Sequence, residues 1–381
     1  MRNSKSTLLV LLAMTTGLAL WTRDAHAQQQ VDGYALDRLY LSAPGGGWFV
    51  MDALDMRGGL GGAIALTTGY AHNPLRVRAA DGSERLTVVA DEALADFGFA
   101  ATYDRFRLYV NVVMPLDVAG NSGTVGAYQF TAPNAAQPYT PSGVNPSTAS
   151  DALADGRIGV DARLYGTADG PFRLGASVQL LIPSPNTPNS EFLSDGTFRA
   201  MGRALFAGDV GLFTYAGQLG VHVRPRDDSP TPGSPHGSEL LFGAAGGVKV
   251  AVLGSSTALV VGPELYGASA FRSLFGSSGT ALEGLLTGRV EGTADDGAQV
   301  RAKLGVGAGI DAHFGAPEWR VVFGIELFDH SVDRDGDGVT DSKDACPDKP
   351  GLKTTDPKTT GCPPLPNESV PSSSGDQPNR L

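Results

Sequence analysis

Asp333 to Asp344 reads Asp-Arg-Asp-Gly-Asp-Gly-Val-Thr-Asp-Ser-Lys-Asp, so acids fall at positions 1, 3, 5, 9 and 12 of a twelve-residue loop. A hard divalent cation such as Ca2+ takes six to eight oxygen ligands, and alternate residues of a tightly curled loop can aim carboxylates at one centre. The expected ligands are Asp333, Asp335, Asp337, the backbone carbonyl of Val339, Asp341 and Asp344, with Gly338 giving the sharp turn at position six. Without a cation these acids repel one another, which a solvated linker has no reason to tolerate.

An EF-hand would place the loop between two helices and put Glu at position twelve. Here a strand-like run, Trp319 to Phe328, precedes the loop, and Cys346-Pro347 follows Asp344 almost at once. The acid spacing and the Cys-Pro closure resemble the thrombospondin type 3 repeat, whose bound calcium replaces a hydrophobic core. The chain has two cysteines, Cys346 and Cys362. Both lie in this segment and are expected to form a disulfide, contributing on the order of 3 kcal/mol by the chain-entropy estimate.

The elements that would carry this loop begin with an export signal. Arg2 and Lys5 precede an apolar run from Leu8 to Leu20, and Ala25-His26-Ala27 supplies a cleavage site, which predicts a secretory leader over residues 1–27. That run is too short to span a bilayer as a helix, and no other segment approaches the ~20 apolar residues required. No cysteine near the cleavage site offers a lipid anchor. Net charge is −11, and removing residues 1–27 takes away three of the 29 basic and one of the 40 acidic residues, leaving −13. Nucleic acid is therefore not an expected partner. Charged residues make up only 18% while glycine numbers 51 of 381, a composition suited to sheet rather than helix.

From residue 58 to 328 the recurring pattern has period two, which predicts an all-β fold. Phe106, Leu108, Val110 and Val112 alternate with Arg107, Tyr109 and Asn111; Leu304, Val306, Ala308 and Ile310 alternate with Lys303, Gly305, Gly307 and Gly309. Alternation fits a soluble sandwich or a membrane barrel equally well. Run length separates the two, since many segments reach the ~9 to 11 residues of a tilted membrane strand. Connector length does so more sharply. Long loops at 116–154, 183–196, 225–238 and 267–280 alternate with short turns at 166–170, 207–211, 252–256 and 294–297, the treatment that outer-membrane barrels give their two rims. Fourteen strand candidates run from 59–70 to 318–328. Two of them, 74–80 and 84–90, are short, so an antiparallel transmembrane β-barrel of about 12 to 14 strands is expected. Trp319, Val321, Phe323, Ile325 and Leu327 share one face of the closing strand, which ends at Phe328.

Leader, barrel and calcium repeat in this order resemble the OmpA-like family of outer-membrane proteins. The resemblance implies placement in outer-membrane lipid, a calcium segment at 329–363 on the periplasmic side, and a non-enzymatic structural protein or narrow passive pore. It also implies a periplasmic or cell-wall partner, although the family's peptidoglycan-binding domain is not in this sequence. The other reading is a secreted or surface β protein binding partners through calcium. Residues 28–57, with Gly45-Gly46-Gly47-Trp48-Phe49, fit a tail, a plug or an extra strand, and residues 364–381 read as disordered.

Hydrolase and phosphate-binding motifs are missing from the sequence. His72, His222, His236, His313 and His330 are scattered, and no catalytic residue is expected, although Asp209 or His313 could sit on a rim. Arg105, Arg107, Arg157, Arg163, Arg173, Arg199, Arg203 and Arg301 fall on inward faces. They either line an anion-biased pore or pair with Asp161, Glu283, Glu291, Asp311 and Glu326 to fill a closed barrel.

Overall fold

The computed structural model describes residues 29–31, 33–56, 59–79, 81–133, 154–168, 170–184, 192–226, 235–253, 257–293, 299–311, 315–330, 335, 337, 339 and 343–364. The expected leader, His313, the ligands Asp333 and Asp341, and the tail from 365 lie outside the described residues.

Alternating sequence becomes strand throughout. In chain order the strands are β1 (Gln29–Val31), β2 (Leu60–Arg78), β3 (Glu84–Tyr103), β4 (Phe106–Ala119), β5 (Gly123–Val125), β6 (Tyr128–Phe130), β7 (Gly156–Tyr165) and β8 (Arg173–Ile182). They continue as β9 (Arg199–Val210), β10 (Phe213–Val223), β11 (Glu239–Leu253), β12 (Thr257–Ala270), β13 (Thr280–Thr293), β14 (Gln299–Asp311) and β15 (Trp319–His330). β2 to β4 and β7 to β15 form a closed antiparallel barrel of twelve strands, sealed by β15 against β2 with Phe323 opposite Thr68 and His330 opposite Gly61. Closure leaves no free edge, so the backbone polar groups of the wall are satisfied without water.

Twelve strands replace the fourteen candidates because 59–70 and 74–80 are one strand, as are 84–90 and 96–102. A register shift at His72 to Leu75, with Asn73 at φ 52°, carries β2 past Pro74 without ending it. The soluble sandwich is not what these strands form. Phe106, Leu108, Val110 and Val112 are exposed on the outer surface, while Arg107, Tyr109 and Asn111 are buried on the inner one. Exposed aromatics ring the barrel at both ends, with Tyr103, Phe106, Tyr165 and Phe213 at one rim and Phe198, Phe271 and Trp319 at the other. An apolar outer band between aromatic girdles is the surface that a bilayer solvates.

The expected asymmetry of connectors is present. The turn 104–105, residues 166–172 and the turn 211–212 join strands at one rim, which also receives Leu60 and His330. β4, β8, β10 and β12 end at the other rim, where the sequence separating them from the next barrel strand is longer, and residues 271–279 cross there. At this long-loop rim β1 pairs in parallel with β6, which pairs antiparallel with β5. Val31, Tyr34, Val88, Val118, Phe130 and Phe192 make an apolar cluster there, on the part of the β2–β3 hairpin that projects beyond its neighbours.

Candidate functional site: a plugged lumen and an acidic loop

Residues 33–56 carry neither period two nor a helical stripe, and the structure threads them through the lumen. Near the long-loop rim Arg38 Nη2 donates to Glu239 Oε1 at 2.7 Å, the Ala35 amide donates to Asp195 Oδ1 at 2.8 Å, and Arg320 Nη2 donates to Asp37 Oδ1 at 2.7 Å. Arg224 grips Asp195 through Nε and Nη2 at 2.8 and 2.6 Å and reaches Glu239 through Nη1 at 2.9 Å. Burial by itself would raise the Asp195 carboxyl. Arg224 beside it, then Arg199 and the Ala35 amide, hold it below the usual carboxylate range.

Towards the short-turn rim the same segment becomes apolar. Trp48, Phe49, Val50, Met51, Leu54 and Met56 are all at most 2% exposed, and they pack with Leu205, Tyr266, Leu285 and Val322 of the wall. The wall makes room with glycine: a Cβ on Gly243 would collide with Met51, and one on Gly247 would lie 2.7 Å from the Trp48 ring. Polar groups at this level are satisfied in pairs. The Phe49 and Val50 amides donate to the two oxygens of Glu264 at 3.0 and 2.9 Å, and Arg107 donates bidentately to Asp52 at 2.9 and 3.1 Å. Arg289 lies over the Trp48 ring and Lys303 Nζ over Phe49, 4.6 and 5.0 Å from the ring centroids.

The inward arginines therefore follow the closed-barrel alternative, with Arg105 as the exception. Arg107 meets Asp52 and Asp161, Arg157 meets Asp96, Arg173 meets Asp209, Arg199 meets Asp155, and Arg301 meets Glu291 and Glu326. Arg203 hydrogen-bonds Tyr109, Ser177, Gln179 and Gln218, and Arg163 donates to the carbonyls of Gly166 and Met56. Arg105 sits in the turn before β4, half-exposed beside Asp104, because the strand starts one residue later than its inward alternation needs. Of the five expected acids, Glu283 meets Arg320 while Asp161, Glu291 and Glu326 pair as above. Asp311 is the last residue of β14 and has no ion pair among the described residues. The alternation missed Asp52 and Asp195, which lie outside the barrel strands; their signal was only an acid beside apolar residues.

The histidines stay apart. His72 stacks on Trp319 and faces Asp91 at 3.3 Å, where Tyr70 also donates its hydroxyl. His222 is buried between Tyr40 and Glu239, His236 lies against the Tyr34 ring, and the side chain of His330 lies outside the described residues. Asp209 is held by Arg173 and Lys249.

The acidic loop brings Asp335, Asp337 and Asp344 together, with one carboxylate oxygen of each within 4.8 Å of the others. The Val339 amide donates to Asp337 Oδ1 and the Gly351 amide to Asp337 Oδ2, both at 2.8 Å, so the cystine loop folds back on the acids. Cys346 and Cys362 form the expected disulfide, and Leu352 bridges Cys362 antiparallel. Asp344 Oδ2 is buried with no hydrogen-bond partner, an orphaned acceptor of the kind a cation would satisfy. Val339, expected to offer its carbonyl, is itself buried.

No protein-family model and no curated protein sequence matches the chain. Among solved structures it is similar to the COG4313 outer membrane channel from Pseudomonas putida F1, at 12% identity over 72% of this chain and 97% of that one, with a TM-score of 0.44. The β domain of the Bordetella autotransporter BrkA matches at 14% identity over 70% and 98% of the two chains, TM-score 0.35. LpxR from Salmonella typhimurium matches at 10% over 69% and 99%, TM-score 0.33. The likeness is one of barrel architecture, and the chain is a closed, twelve-stranded, all-β barrel with an apolar outer face.

Proposed function

We propose that this chain is a non-enzymatic outer-membrane barrel, closed by its own residues 33–56, which would conduct only when that segment moves. The observation that carries the reading is the fit of the segment to the wall: six buried apolar side chains, four of them against glycines, and Asp52 clasped by Arg107. A segment held only as a tail would not have matched partners on β4, β11, β12 and β15.

The connector lengths support a direction. With long loops outside and short turns in the periplasm, β1 lies at the cell surface, and residues 33–56 run inward to Leu60. His330 then leaves on the periplasmic side, and Asp335, Asp337, Val339 and Asp344, joined by Asp333 and Asp341 from the sequence, would hold Ca2+ close to the barrel exit. Bound calcium would cancel the repulsion among the acids and stiffen that exit, with the disulfide closing its far end and a periplasmic or cell-wall partner within reach.

The threading is tested with epitopes placed before Gln29 and after Pro364. The reading expects the first to be labelled on intact cells of a Gram-negative host and the second only after permeabilisation. Labelling of the second on intact cells, or recovery of the protein without detergent, overturns it. Calorimetric titration of the purified chain tests the metal: saturable calcium binding lost in Asp337→Ala and Asp344→Ala is expected, and no heat at about millimolar calcium, the weak end for extracellular modules, removes calcium from the account.

A further inference from the structure

The long-loop half of the lumen is not filled. A partly open cavity of about 90 Å³ lies between residues 35–41 and the wall, with the six aliphatic side chains Leu39, Leu41, Leu94, Val113, Leu181 and Val322 among its lining. Seven charged groups also line it, four carboxylates and three guanidiniums. Three of the carboxylates are matched: Asp96 with Arg157, Asp155 with Arg199 at 2.6 Å, and Asp37 with Arg320 at 2.7 Å.

Glu92 is the one left over. It is 3% exposed, its Oε1 has no hydrogen-bond partner, and no described basic group lies within ion-pair distance of it. Arg320, whose charge acts on it across the cavity, is already bonded to Asp37 and to Glu283. An isolated carboxylate buried this deeply is costly, and it is relieved either by a proton or by a cation. At the same cavity Arg199 Nε and Nη1 and Arg157 Nε are buried donors without acceptors. An excess carboxylate, spare donors and an aliphatic lining together describe a complementary molecule.

We propose that this cavity is a binding site for a small organic monocation, with an ammonium group on Glu92, an apolar body among the aliphatic side chains and an oxygen acceptor near Arg199. The ammonium supplies the missing charge, and the aliphatic side chains give an organic cation an apolar contact that a hydrated inorganic cation cannot use. Most of the charged groups of the lining are spent on one another, so Glu92 and the free donors of Arg157 and Arg199 are the polar groups left to orient a ligand beside the aliphatic side chains, the usual division of labour in a small-molecule site. The site needs residues 35–41 in place but does not depend on whether the barrel conducts.

The test uses the full-length protein in detergent and three probes of one shape: phenethylammonium, 2-phenylethanol and 3-phenylpropionate, followed by calorimetry. Saturable binding of the cation alone is expected, weakened about tenfold or more by Glu92→Gln, the order of one charge-assisted hydrogen bond. A barrel lacking residues 33–56 is expected to lose the site entirely. Equal binding of the three probes, unchanged affinity in Glu92→Gln, persistence in the shortened barrel, or no saturable binding of the cation overturns the proposal. If Glu92→Gln does not fold, the charge selectivity of the wild-type protein decides alone.

Discussion

Residues 33–41 and 46–56 are neighbouring stretches of one threaded segment, yet the barrel holds them by opposite means. The first is tied by directional charge pairs around Glu239, Asp195 and Arg320 and leaves a cavity beside it. The second is packed as tightly as a soluble core, with Trp48, Phe49 and Met51 seated against glycines of the wall. Charge pairs that have alternative partners can be exchanged at little net cost, whereas a close-packed apolar knot cannot be shifted without opening voids. On the proposed reading the lower stretch is the barrier, and the upper one is where a ligand or a change of conditions would act.

That contrast can be broken at the knot first. Trp48→Ala removes the largest fully buried side chain and is expected to cost about 3 to 5 kcal/mol, seen as a lower thermal midpoint of the folded barrel and as new openings in planar bilayers. Gly247→Val attacks from the wall, driving a side chain into the Trp48 ring, and should open the lumen with the outer face unchanged. Next comes the clasp. Asp52→Asn leaves Arg107 with only Asp161, 4.0 Å away, and is expected to cost about 3 kcal/mol, much of it recovered when all three charges are replaced together, in Asp52→Leu with Arg107→Met and Asp161→Leu. A triple variant no more stable than the single one would show that the cluster acts through something other than charge.

Smaller effects belong to the upper stretch. Arg38→Met leaves Glu239 still bonded to Arg224, so a loss of about 1 kcal/mol is expected, with cavity binding more affected than the thermal midpoint. The pH dependence follows from Asp195, held below its unfolded value. Its contribution is complete above the unfolded pKa of about 4 and is lost as pH falls through the lower folded value. Protease protection of the loop around Asp195 should hold at pH 5 and fade well below pH 4. A loss already at pH 6 would contradict the clasp.

The same contrast separates what the sequence made legible from what it hid. The wall could be read because one property, lipid outside and polar lumen inside, repeats every second residue along strands such as Phe106–Val112 and Leu304–Ile310. The fourteen candidates merge into twelve strands, the lower end of the expected range, because the inward acids Glu92 and Asp96 and the Asn73-Pro74 step interrupt that alternation without ending the strand. The plug was one of three readings that the sequence left open for residues 28–57, and nothing in it chose among them. Its residues have no period, and the partners of Asp52, 55 residues away in Arg107, and of Arg38, 201 residues away in Glu239, exist only once the barrel closes. The glycines at Gly305 and Gly307 look like small lumen residues from the sequence; the reason for Gly305 is the Phe49 ring, 3.0 Å from where a Cβ would stand. In the acidic loop, by contrast, spacing alone brought Asp335, Asp337 and Asp344 to one point, because a short loop needs no distant partner.

The central claim is that residues 33–56 close the lumen. Its most direct test is single-channel recording of the intact chain beside the same chain lacking those residues, both in planar bilayers under identical salt and voltage. The account predicts that the intact protein is closed for most of the record and the shortened barrel conducts steadily. Equal, steady conductance from the two, with both confirmed as folded barrels, would contradict it.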